Sequence, residues 1–275
     1  NNQSTSNDPK MWMYRAQIYK TIAYNHSELD ANAIFKATES HLKCMEPHPK
    51  KKNKIIIYKK WEKEKVFTGL MQCANKLFNL AVEAYQNNDF QSSLDLYKPI
   101  YDIIAIDTDG QLKKMKITNE SLTHNSYLSS LAMNDNVMSK SFLQKLIDMD
   151  SQKPNIYSSM SKIYLKEGDI NNALKILSEG RNRFSDNQAL VNEEVNLYIE
   201  LGKTEELVNK LSENIIKYPE NDTYLVIRGT CYQNSNDIER SIVDYKSALS
   251  INPDNLTALN NISSCYLKQT ESIIK

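Results

Sequence analysis

Tyr164, Tyr198 and Tyr232 stand 34 residues apart, and each runs into a similar turn: Gly168-Asp169-Ile170, Gly202-Lys203-Thr204 and Asn236-Asp237-Ile238. A fixed period constrains a chain severely, because every unit must fold alike and bury its apolar face on its neighbours. With a turn signal inside each unit, a period near 34 predicts stacked pairs of antiparallel helices. The chain carries only 6 Gly and 7 Pro in 275 residues, which argues against an all-β alternative. The fold class expected is all-α, a right-handed superhelical solenoid of antiparallel helix pairs.

Between Asp222 and Asn255, one frame holds Leu225, Gly229, Tyr232, Ser241, Tyr245, Ala248 and Pro253. Small residues let two helices approach, aromatics fill the space between them, and proline ends the second helix. One period earlier the frame reads Val191, Val195, Tyr198, Leu207, Leu211 and Pro219, and one further back Tyr157, Ser161, Tyr164, Ala173, Leu177 and Gly180. This pattern resembles the tetratricopeptide repeat family. Residues 154–275 are read as the regular array, with its last unit, begun by Leu259, Ser263 and Tyr266, incomplete and a short second helix from Thr270 to Lys275.

The N-terminal half is looser. Residues 1–9 are expected to be extended or disordered. Residues 10–110 hold divergent hairpins: Trp12, Ala16 and Tyr19 with Ala33 and Ala37, then Phe78, Val82, Tyr85, Asn88-Asp89-Phe90, Ser93 and Tyr97, the latter with one residue fewer in its turn. Residues 111–153, with Tyr127, Asn134-Asp135, Ser139, Phe142 and Leu146, read as a degenerate unit, bringing the total to about seven pairs. Pro47 and Pro49 must stop a helix. Near-helical apolar spacing from Ile56 through Trp61, Phe67 and Leu70 to Ala81 then predicts a helix longer than a repeat arm, standing proud of the array.

Charge names no partner. Lys and Arg total 34 and Asp and Glu total 34, so nothing global draws the chain to nucleic acid or an anionic surface. The eight lysines between Lys50 and Lys65 fit either an anionic-ligand patch or the solvated side of the long helix. The second reading weighs more, since Lys without Arg or a supporting motif is poor evidence for specific recognition. No run is long and apolar enough to span a bilayer. The first residue is Asn1, not Met, which fits a removed signal peptide and a periplasmic or secreted location; unpaired thiols fit a cytoplasmic one. Cys231 and Cys265 hold the same position in successive units, on parallel helices about 8–10 Å apart, too far for a disulfide.

No catalytic set, cofactor fingerprint or metal site is legible. His41 and Cys44 lie one helical turn apart, but Pro47 and Pro49 make it hard for His48 to join them. Six Asn-x-Ser/Thr sequons are what chance gives at this Asn and Ser content. The family resemblance implies instead a ligand groove lined by the first helix of each pair. Carried onto this sequence, the groove positions point to Lys162, Asn192, Asn196, Thr230, Gln233 and Asn260 as hydrogen-bonding contacts. Such an amide-rich lining suits an extended peptide, because Asn and Gln both donate to and accept from a backbone. It is equally the composition of an ordinary solvated face. Lys162, Asn192 and Asn196 echo part of the carboxylate clamp of family members that hold chaperone C-termini, but Thr223 and Ile227 stand where further cations belong. Arg228 occupies a usually apolar position, where its head either pairs locally or reaches the groove rim. The expectation is a non-enzymatic scaffold for a protein or peptide. The alternatives are a self-assembling homo-oligomer and, more remotely, the regulatory region of a larger enzyme.

Overall fold

The computed structural model describes residues 8–48, 54–55, 60–184 and 187–274. It is all-helical apart from a two-residue antiparallel pairing, and it divides into two compact units, Asn1–Ser151 and Gln152–Lys275.

In the first unit, α1 (Pro9–Asn25) pairs with α2 (Ala33–Lys43) across a long turn holding a 3-10 segment, Ser27–Leu29. Asp8 caps α1 by accepting from Lys10 N, with Pro9 at the position where a missing amide costs nothing. Helix α2 stops short of Pro47, as expected, and Pro47–His48 (β1) pairs with Lys54–Ile55 (β2). There follow α3 (Lys60–Gln86), α4 (Phe90–Ile106), the short α5 (Gln111–Lys114), α6 (Asn119–Ala132) and α7 (Asn136–Asp148). Leu70, Leu77, Ile100, Ile103, Leu112 and Leu122 are fully buried in its core. Helix α3 runs for 27 residues from Lys60, but it does not stand proud. Val66 is buried near its start, and α5 packs on it. Residues 49–53 and 56–59, which hold half of the lysine-rich stretch, lie outside the described residues, as does the Trp61 side chain.

The second unit consists of α8 (Asn155–Lys166) with α9 (Ile170–Arg183), α10 (Gln188–Glu200) with α11 (Thr204–Lys217), α12 (Asp222–Asn234) with α13 (Ile238–Ile251), and α14 (Leu256–Ile274). The expected separate helix from Thr270 is absent: α14 runs straight through that position. The small residues act as the spacing suggests. A Cβ on Gly229 would lie 2.8 Å from the Tyr245 ring, and one on Gly180 would lie 2.6 Å from Tyr157 Cβ, so these helices touch only because the side chains are missing.

One turn joins the two helices of five pairs. Asn88, Asn134, Gly168, Gly202 and Asn236 all have positive φ, between 57° and 77°, a conformation in which Gly and Asn are the tolerated residues. In each case the next amide returns to the carbonyl five residues back: Asp89 to Ala84, Asp135 to Ser130, Asp169 to Tyr164, Lys203 to Tyr198 and Asp237 to Tyr232, at 2.8–3.0 Å. The four aspartates then cap the following helix, accepting from Ser92, Met138, Asn172 and Arg240 N. The turn before α4 is therefore as long as the others, contrary to the expected shortening. Ala84, not Tyr85, stands in the place of Tyr164.

Candidate functional site

Within the second unit the first helices lie side by side, α8 against α10, α10 against α12 and α12 against α14. This row brings the sequence-predicted residues onto neighbouring elements. Lys162, Asn192, Asn196 and Asn260 are exposed, from α8, α10 and α14. Lys162 Nζ lies 3.4 Å from Glu193 Oε1, so the one cation of the set is offset across the α8–α10 boundary. The lining is close to neutral, and the clamp of cations that a terminal carboxylate needs is not assembled among the described residues.

Thr230 and Gln233 prove to be partly buried. Both bond to the hydroxyl of Tyr245, a side chain of α13 with no exposed surface. Tyr245 Oη donates to Gln233 Oε1 at 2.8 Å, lies 3.2 Å from Thr230 Oγ1 and accepts from Asn261 Nδ2 at 3.3 Å. Burial pushes the tyrosine up to about 12, so it remains a donor at any ordinary pH. Gln233 also approaches Ser264 Oγ of α14 at 3.5 Å. These two residues thus tie α12 to α13 and α14. Their helical spacing was legible; the tyrosine beneath them belongs to another helix and was not.

Two charged clusters sit under the row. Arg228, left with two options by the sequence, pairs locally: Nε and Nη2 donate to Asp244 at 2.8 and 2.7 Å, and Nη1 donates to Ser212 Oγ at 2.9 Å. Glu194, 34 residues earlier, occupies the equivalent position and accepts from Arg181 of α9, with both side chains buried. Sequence reading missed this pair. The available signal was a charged residue at a repeat position that is Met160 and Ile262 in the flanking units. A buried pair of this kind is costly to break from one side, at about 3–5 kcal/mol, so these charges fix the relation of successive helices.

Among the described residues no group of three or more His, Cys, Asp or Glu is placed to hold a metal ion. His41 is buried against Gly69, and neither of its ring nitrogens has a partner among the described residues. All four cysteines are buried and unbridged, in line with the expectation for Cys231 and Cys265. Burial pushes the thiols of Cys44 and Cys231 up to about 12 and that of Cys73 up to about 11, far from the range of reactive cysteines. No helix is long and apolar enough to cross a membrane among the described residues.

Residues 223–255 match the tetratricopeptide repeat family model. None of the curated proteins searched matches the chain. Among solved structures, the chain is similar to YrrB, described as a TPR protein with an unusual peptide-binding site, at 14% identity over 70% of this chain and 96% of that one, with a TM-score of 0.38. It is similar to a thermophilic TPR protein of Thermus thermophilus at 14% identity over 70% and 99% of the two chains, TM-score 0.35. It is similar to the TPR domain of P58(IPK) at 13% identity over 96% and 80%, TM-score 0.38. At these scores the likenesses carry no information on ligands. The matched unit α12–α13 shares its turn, its cap and its period with the pairs α6–α7 and α8–α9, so the helical repeat that the tetratricopeptide model matches at residues 223–255 recurs earlier in the chain.

Proposed function

We propose that the chain is a non-catalytic interaction scaffold that holds an extended segment of another protein along the first helices of the second unit. The observation that carries this reading is the row of exposed polar side chains, Lys162, Asn192, Asn196 and Asn260, above a hydrogen-bonded layer that includes Thr230, Gln233 and Tyr245. Amides with two donors and an acceptor at such positions match the alternating N–H and C=O groups of an extended backbone. A rigid layer below them reduces what binding must spend in ordering side chains.

The test is affinity purification from the protein's own cells with quantitative mass spectrometry, comparing wild type with Asn192→Ala/Asn196→Ala at equal helicity. The expected result is a partner depleted about tenfold or more in the variant, equivalent to ~1.4 kcal/mol. Full recovery of every partner would remove the row from consideration.

A second reading, self-association, rests on α14, where Leu256, Leu259, Tyr266 and Leu267 are all exposed. Apolar side chains in one stretch of helix favour a covering surface. Sedimentation of the same two preparations distinguishes it, since a homo-oligomer held through α14 persists in the asparagine variant.

A further inference from the structure

The first unit carries a groove that the row above does not involve. It lies between the second helices α4 and α7, over α6, and encloses about 400 Å³. Leu94 and Tyr101 of α4 face Met138 and Phe142 of α7, and Lys98 and Lys145 stand at the margin. The floor is already satisfied where it is polar: the Tyr101 hydroxyl lies 3.1 Å from Thr123 Oγ1. Methionine and aromatic walls of this type adapt to large apolar side chains.

The charge of the groove is specific to it. Among the described residues no carboxylate lines it, and the ammonium of Lys145 sits 5.4 Å from the centre of the Phe142 ring, holding positive charge directly beside the apolar wall. Lys98 is paired with Asp95 at 2.7 Å, but both groups are open to solvent, where such a pair is weak and readily exchanged. The corresponding groove one helix pair earlier, between α2 and α4 over α3, has the opposite sign: Glu83, Asp89 and Asp95 line it, without a cation among its described residues.

From this complementarity we infer that the α4–α7 groove is a docking site for an acidic amphipathic segment of another protein, its large apolar side chains seated between Tyr101, Met138 and Phe142 and its carboxylates met by Lys98 and Lys145. Two lysines around an apolar floor are too few charges for a nucleic-acid backbone. They suffice for a segment whose apolar residues supply the affinity and whose acids set its orientation.

The experiment uses the full chain and a fluorescein-labelled peptide repeating Asp-Phe-Glu-Leu, alongside its counterpart with Lys in place of each acid, read by anisotropy. The acidic peptide is expected to bind about tenfold or more tighter than the basic one. Lys98→Glu/Lys145→Glu alters two exposed side chains and is expected to leave helicity intact while reversing that preference; Asn192→Ala/Asn196→Ala is expected to leave it unchanged. Equal binding of the two peptides, no binding of the acidic one, or indifference to the lysine reversal overturns the proposal. So does sedimentation showing a dimer dispersed by Lys98→Glu/Lys145→Glu, which makes the occupant a second copy. None of these results bears on the polar row of the second unit.

Discussion

His41 illustrates how a single residue acquires a property from a helix far along the chain. A Cβ on Gly69 would lie 2.3 Å from its ring, so the imidazole fills the space that glycine leaves on α3. Burial, with a smaller contribution from Lys20, lowers its pKa to about 4. The unfolded chain takes up a proton near pH 6.5 while the folded one does not until about pH 4, so stability is lost as pH falls through that window, by on the order of 3 kcal/mol in full. Urea denaturation at pH 7 and pH 4.5 reads this directly. His41→Leu, of similar size and without the unpartnered nitrogens, is expected to lose markedly less stability than wild type between the two. An equal loss would place the titrating group elsewhere. The sequence put His41 one turn from Cys44, but held no sign of Gly69 as its neighbour, because that contact depends on the register between α2 and α3.

At the scale of the element, the turn is where sequence and structure meet most closely. Left-handed backbone admits few residue types and a helix start wants a short oxygen-bearing side chain, so Gly or Asn followed by Asp is readable without coordinates. The same turn also exposes the weakest start. Lys203 takes the place of the capping aspartates and gives α11 no side-chain cap, with φ −104° and ψ 21° where Asp169 and Asp237 have ψ of 72° and 75°. Asn caps α10 and α12 through Asn187 and Asn221. Lys203→Asn is therefore expected to stabilise the protein by about 0.5–2 kcal/mol, seen as a higher melting temperature. An unchanged or lower one would mean that the α11 start cannot relax into the capped geometry. Where the pattern of large and small residues fails, packing is the reason. In α6 the large residue Tyr127 stands where the later units have Ser161 and Gly229, and the small Ser130 where they have Tyr164 and Tyr232. Both are buried, and Ser130 Oγ meets Ser139 Oγ at 2.9 Å, so the space is filled in exchanged order and the unit looks degenerate only as a string.

For the molecule as a whole, the all-α class and the repeat were legible because period and turn chemistry are properties of the chain itself. The candidate site was legible only in part. Exposure of Lys162, Asn192, Asn196 and Asn260 follows from helical phase, whereas the bonds of Thr230 and Gln233 to Tyr245 and the pairing of Arg181 with Glu194 depend on which helices become neighbours. The α4–α7 groove had no signal, since Leu94, Tyr101 and Met138 of its walls lie outside the repeat pattern and only Phe142 belongs to it.

The positive-φ residues Asn134, Gly168, Gly202 and Asn236 recur at equal intervals of 34, which has a mechanical consequence. In the second unit each helix pair is held chiefly by the pairs beside it, so tension applied through Lys275 has no reason to break the unit at once. The hairpins should peel from the C-terminal end, each releasing 34 residues or roughly 11–12 nm of chain. Optical-trap extension of the protein is expected to show a ladder of such steps; a single larger rupture would mean that the unit yields as one body, like a bar and not a zipper.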